Sequence, residues 1–185
     1  MDTFRIAVLV GSLRADSLNR RLALAIAGLA PQDFRFHHCR IDDLPPYNQD
    51  DDASQPEAVR RLKTDISQSQ GLLFVTPEYN RSIPGVLKNA IDHASRPYGQ
   101  SAWAGKPAGV LGISIGQIGT AMAQQHLRNV LAYLDVPTLG QPEVFLQNRE
   151  GLLDAQGHVG NDDSRRFLQG WVDKYAAFVR QHAGR

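Results

Sequence analysis

The stretch "FRIAVLVGSLRADSLNR", residues 4–20, decides how the rest of the chain is read. Phe4 to Val10 is a nearly continuous apolar run with β-branched members, the pattern of a strand buried on both faces. Past a polar loop that begins at Gly11, apolar residues recur at helical spacing: Leu18, Leu22, Ala25, Ile26 and Leu29, with Pro31 closing the segment. The loop between is the informative part. A turn that runs from a strand into a helix N-terminus presents backbone N–H groups without partners and the positive end of the helix dipole, so it suits an anion. Ser12 and Ser17 add hydroxyl donors, Asn19 an amide and Arg14 a permanent charge, while Gly11 permits close backbone approach or positive φ. The set suits a terminal phosphate monoester.

Other anion loops fit poorly. The Walker pattern G-x-x-x-x-G-K-[ST] and the dinucleotide fingerprint G-x-G-x-x-G are both absent here. The only cysteine, Cys39, lies outside the loop, which excludes a cysteine phosphatase. Taken singly, Ser17 reads equally well as a helix N-cap and Arg14 as a solvated charge; it is the set in one turn that favours phosphate.

The same alternation continues along the chain. "FRFHHCRI" (34–41) alternates weakly, "DDLPPYNQDDDASQ" (42–55) reads as a loop, and Val59, Leu62 and Ile66 mark a helix. "GLLFVT" (71–76) is a buried strand, and Pro84 suits the first turn of a helix carrying Val86, Leu87, Ala90, Ile91 and Ala94. The strand "AGVLGIS" (108–114) precedes a helix with Leu127, Val130, Leu131 and Leu134. A strand near "PEVFLQ" (142–147) and a helix with Leu168, Trp171, Val172, Tyr175 and Val179 complete the count. Five strands alternating with five helices predict one α/β domain over 1–185, a doubly wound five-stranded parallel sheet with helices on both faces. Ligands of such folds sit outside the carboxyl ends of the strands. The loops there are Gly11–Ser17, Pro77–Pro84 and Ile115–Thr120.

Bulk properties narrow the partners. Across 185 residues, 20 Lys and Arg face 19 Asp and Glu, which favours neither nucleic acid nor an acidic membrane surface. A single cysteine excludes an internal disulfide and suits a reducing compartment. The first residues lack the marks of a signal peptide, and no apolar run approaches the roughly 18 residues of a membrane span. The expectation is a soluble, cytoplasmic protein.

The segment "TPEYNRSIPGVLKNAID" (76–92) adds the most specific signal. With "GSLRADSLNR" (11–20), it closely resembles the NAD(P)H-dependent FMN reductase family, which includes chromate and quinone reductases. The resemblance implies a flavodoxin-like fold in which Ser12, Arg14, Ser17 and Asn19 hold the FMN phosphate. It implies that Pro77, Glu78, Tyr79 and Asn80 lie along the isoalloxazine edge and face. The segment "SIGQIG" (114–119), with Ser114 and Gly116, looks like the family's segment at the other side of the ring, although members often carry a more glycine-rich turn. His93 stands where many relatives have an aromatic residue. NADPH or NADH is the implied donor; quinones, chromate, azo compounds or free flavin are the implied acceptors; a homodimer or homotetramer is the implied assembly. Since the flavin performs the chemistry, no catalytic acid or nucleophile is required of the protein.

The residues themselves agree. A planar ring with carbonyl acceptors and an N–H donor pairs with the backbone of an extended loop, Tyr79 offers an aromatic surface, and Pro77 and Pro84 stiffen the loop's ends. A non-enzymatic FMN carrier or an FMN-binding redox sensor shares the fold, but carriers are usually strongly acidic and lack an arginine in this loop. A hydrolase is the third alternative, since "GISIG" (112–116) matches the nucleophile elbow formally, without a convincing Asp and His set. No metal is assigned: His37 and His38 point to opposite faces of a strand, and the aspartates at 42, 43 and 50–52 read as a solvated connection. Tyr98 and Trp103 read either as lining a slot or subunit contact or as anchoring their own loop. Arg81 or Arg14 would meet a 2′-phosphate of NADPH.

Overall fold

Alternation along the strands sorts the core into two halves. In β1 (Phe4–Val10), Ile6 and Val8 enter one cluster while Ala7 and Leu9 enter the other, all fully buried. The same holds for β3 (Gly71–Val75), where Leu73 and Val75 face one way and Leu72 and Phe74 the other. The computed structural model describes residues 3–183. The remaining strands are β2 (Phe34–His38), β4 (Ala108–Ser114) and the short β5 (Phe145–Gln147). All pairings are parallel, in the order β2-β1-β3-β4-β5.

Helices α1 (Leu18–Leu29) and α5 (Asp162–Ala183) cover one face of the sheet. Helices α2 (Glu57–Ser67), α3 (Gly85–Ala94) and α4 (Ala121–Tyr133) cover the other. Because β1 lies between β2 and β3, the chain reverses direction across the sheet at β1, and the loops after β1 and β3 diverge there. The register sets Val10 opposite Val75 and Val75 opposite Leu111, so the first two loops leave the sheet at one level, while β4 runs on to Ser114 before the third departs from the same end.

The predicted α/β fold is the observed one, with local differences. Residues 42–55 are not all loop: Gln49–Ser54 form a 3-10 helix, headed by Asn48, whose side chain accepts from the Asp50 N–H. The aspartates there supply the acidic first turn that a helix N-terminus favours. Pro84 stands just before α3 with extended backbone rather than inside its first turn. Trp103 is fully buried against Phe74, its indole N–H donating to the Ile91 carbonyl at 3.0 Å, so it anchors its own loop. Tyr98 in the same loop is exposed.

On α5, Trp171 and Tyr175 stack with centroids 5.2 Å apart over Gly109 of β4. A Cβ at Gly109 would lie 2.7 Å from the Trp171 ring and 2.9 Å from that of Tyr175. Gly109→Ala is therefore expected to lower stability by about 1–3 kcal/mol through overpacking. Urea unfolding should show a lower midpoint with an unchanged slope.

Candidate active site

The opening loop has the donors of an anion site. Among the described residues, the backbone N–H groups of Ser12 to Ser17 have no protein acceptor. The loop's carboxylate, Asp16, is paired with Arg21, whereas Arg14 has no carboxylate partner among the described residues. On the β2 side the loop borders a cleft of about 470 Å³ whose polar lining is Ser12, Arg14, Arg20, His38, Arg40 and Asp42. Burial lowers the His38 pKa, helped by the charges of Arg20 and His37, and Asp42 pairs with Arg40, so Arg14 and Arg20 carry the cleft's positive charge. Gly11 brings the loop against the next one: a Cβ there would sit 3.2 Å from Pro77 and 3.3 Å from Thr76 and Leu87.

Ser17 and Asn19 face inward. Ser17 is the N-cap of α1, its hydroxyl oxygen accepting from the Arg20 N–H at 3.2 Å while its own proton stays available to donate. Asn19 has a different use from the one the resemblance implies. It is only 3% exposed, its amide donates to the Ile113 carbonyl at 2.9 Å, and its oxygen accepts the Ile113 N–H at 3.1 Å. The geometry makes it a clamp between α1 and β4.

Residues 79–82 of the second loop form a tight turn. Tyr79 and Ser82 exchange backbone hydrogen bonds at 2.9 and 3.0 Å, and the central residues Asn80 and Arg81 have φ of 51° and 67°. Positive φ at both centres is the type I′ turn, which asparagine tolerates and arginine adopts only with strain. The turn leaves Tyr79 half exposed and the N–H groups of Glu78, Asn80 and Arg81 without protein acceptors among the described residues. Those are the groups an extended loop offers to the edge of a planar ring.

The Glu78 side chain is 10% exposed, not solvated. One oxygen accepts the N–H groups of Met122 and Ala123 at 3.0 and 3.2 Å, and the other meets Arg81 at 3.3 Å. Thr120, the N-cap residue of α4, makes no side-chain cap of its own. The second loop thus caps the helix that follows the third.

In the third loop the Ser114 hydroxyl donates to the Gly119 carbonyl at 2.6 Å and accepts the Gly116 N–H at 3.2 Å. It shapes its own loop, with no histidine bonded to it among the described residues. A Cβ at Gly116 would find only the Ser114 oxygen, 3.7 Å away, so the backbone is open there. Gly112 is glycine because the Thr76 carbonyl and the Thr120 side chain fill the place of a Cβ. That packing accounts for the first glycine of "GISIG" without a nucleophile.

Two juxtapositions carry no sequence signal. His37, Cys39 and Asp65 come together with His37 Nε2 3.0 Å from Asp65, but Arg5 also holds Asp65 and burial pushes the Cys39 thiol up to about 12. Ser82 Oγ lies 3.0 Å from His126 Nδ1, joining residues 44 positions apart. From the capping geometry, Glu78→Ala should cost about 0.5–2 kcal/mol, and Glu78→Gln less because an amide oxygen still accepts. Equal losses for the two variants in urea titrations would contradict this role.

Comparisons with known proteins give the family. Residues 4–151 match the NADPH-dependent FMN reductase family. The chain is 56% identical over 176 residues to a 2-hydroxy-1,4-benzoquinone reductase of Burkholderia, covering 95% of this chain and 96% of the relative. It superposes on FerB of Paracoccus denitrificans, a flavoenzyme NAD(P)H:(acceptor) oxidoreductase, with a TM-score of 0.93 at 46% identity, covering 97% and 99% of the two chains. A flavodoxin from Pseudomonas aeruginosa shares the fold at a TM-score of 0.60 and 19% identity, covering 96% of this chain and 99% of the flavodoxin. A donor-rich opening loop, a tight turn beside it and these likenesses have one reading: the chain belongs to the NADPH-dependent FMN reductase family.

Proposed function

We propose that this enzyme is an NAD(P)H:quinone oxidoreductase whose FMN is anchored by the opening loop and edged by the turn at Tyr79–Ser82. The carrying observation, among the described residues, is the row of partnerless N–H groups from Ser12 to Ser17 beside an Arg14 that has no carboxylate. Ser12, Arg14 and the Ser17 hydroxyl bind the phosphate, and Asn19 positions them through Ile113. Pro77, Glu78, Tyr79 and Asn80 border the ring's polar edge, mainly through backbone, while Ser114 and Gly116 keep the third loop open on its other side. Bound FMN supplies the redox chemistry, accepting a hydride equivalent from NADPH or NADH and returning electrons to the acceptor. Quinones are the proposed acceptors because a relative 56% identical is named for one.

The whole chain, 1–185, works as one FMN-binding domain, in the cytoplasm, where a lone buried cysteine stays reduced. A homodimer or homotetramer is part of the proposal, supported by exposed Ile115, Ile118 and Met122 around the third loop. Among the described residues no helix is long and apolar enough to cross a membrane. A net charge of +1 together with Arg14 disfavours a flavodoxin-type carrier.

Arg14→Ala is expected to weaken FMN binding by one to two decades, from a charge-assisted hydrogen bond of about 1.5–3 kcal/mol. Far-ultraviolet circular dichroism should be unchanged, and an unaltered FMN affinity would refute the anchor. A single slot used in turn by donor and acceptor also predicts parallel double-reciprocal lines in initial-rate kinetics. Intersecting lines would contradict it.

A further inference from the structure

The cleft of about 470 Å³ beside the opening loop is larger than one phosphate group needs. It lies over the carboxyl ends of β1 and β2, where α/β folds take their ligands. Residues Leu13 to Ala15 of the opening loop form one wall, and the chain past His38 forms the other. Nothing from the second or third loop lines it. In the order β2-β1-β3 the opening loop therefore stands between this cleft and the turn proposed to edge the ring. The phosphate of FMN ends at that loop and leaves the cleft beyond it open to another molecule.

Two side chains give the cleft its chemistry. Arg20, in the first turn of α1, is exposed, and its guanidinium has no partner among the described residues. Its neighbours are already engaged, Arg21 with Asp16 and Arg40 with Asp42. Leu13 is 55% exposed on the rim, and Val10 lies half-buried below it. A free guanidinium beside open apolar surface exceeds what an inorganic anion uses. It suits a nucleotide, which joins phosphate oxygens to a flat base.

We propose that this cleft receives the adenylate half of the nicotinamide donor, with Arg20 pairing with its phosphate and Leu13 and Val10 against its base. The nicotinamide itself stays at the ring, in the slot that the acceptor uses next. From there the donor runs across the opening loop, from above β3 to above β2. Adjacent strands lie about 4.8 Å apart, so the two ends are separated by about 10 Å. Two riboses and a diphosphate bridge that distance, whereas the ribityl phosphate of FMN stops at the loop between. The cleft supplies affinity for the donor and takes no part in the redox step. An acceptor without an adenylate gains nothing from it.

The assignment rests on the flavin reading above, and a truncated donor separates the two. Reduced nicotinamide mononucleotide carries the same dihydropyridine and lacks the adenylate. Anaerobic bleaching of the FMN-loaded wild type by this donor tests the flavin reading alone. In FMN-loaded Arg20→Ala, the second-order rate constant for bleaching by NADPH should fall about ten- to a hundred-fold, the loss of one charge-assisted contact. The constant for the mononucleotide and the affinity for FMN should match the wild type, because Arg20 meets the Ser17 cap through its backbone N–H. Arg20→Lys should recover part of the loss. In the wild type, ADP should compete with NADPH and leave bleaching by the mononucleotide unaffected. An unchanged NADPH constant, equal losses for the two donors, or ADP that does not compete with NADPH would overturn the assignment. If the wild type bleaches with neither donor, the flavin reading falls and this one falls with it.

Discussion

The paired hydrogen bonds between Asn19 and Ile113 are the constraint on which the site depends. Both backbone groups of a buried residue in β4 are met by one carboxamide from the first turn of α1. Leaving either group unpaired would cost about 1–3 kcal/mol. The start of α1, and with it the loop carrying Ser12, Arg14 and Ser17, is thereby tied to the strand from which the third loop departs. A phosphate anchor is useful only at a fixed distance from the ring it anchors, and in the proposed FMN site this clamp would set that distance across the sheet.

A second tie runs between the other two loops. The Glu78 carboxylate caps α4, so the loop after β3 holds the helix that follows the loop after β4. Its other oxygen reaches Arg81, whose left-handed backbone costs roughly 1–2 kcal/mol. The turn is held in that conformation by its two backbone bonds and this ion pair together. Three loops spread over residues 11–120 thus behave as one frame.

The strands, helices and carboxyl-end loops were legible because β-branched runs, helical spacing and turn residues act locally. Ser17 as an N-cap was legible for the same reason. Asn19 was not, since its partner lies 94 residues away and a polar residue at the start of a helix looks the same whether it faces a ligand or a neighbouring strand. The Glu78 cap and the Ser82–His126 pair each span 44 residues or more and exist only once α4 is docked. Trp103 stood in a polar, glycine-bearing segment, yet burial against Phe74 and a bond to Ile91 decided its place. The 3-10 helix at Gln49–Ser54 is too short to carry a helical period.

The central claim is that this frame binds FMN and that the loaded chain accepts reducing equivalents from NAD(P)H unaided. The most direct measurement is the visible spectrum of the purified protein after incubation with FMN and desalting, recorded anaerobically before and after adding NADPH, with NADH in parallel. A retained flavin band near the oxidised maximum that bleaches with either nucleotide, without another protein, is the predicted result. A band that is retained but bleaches with neither, or a protein that shows no FMN binding on titration, would contradict the account.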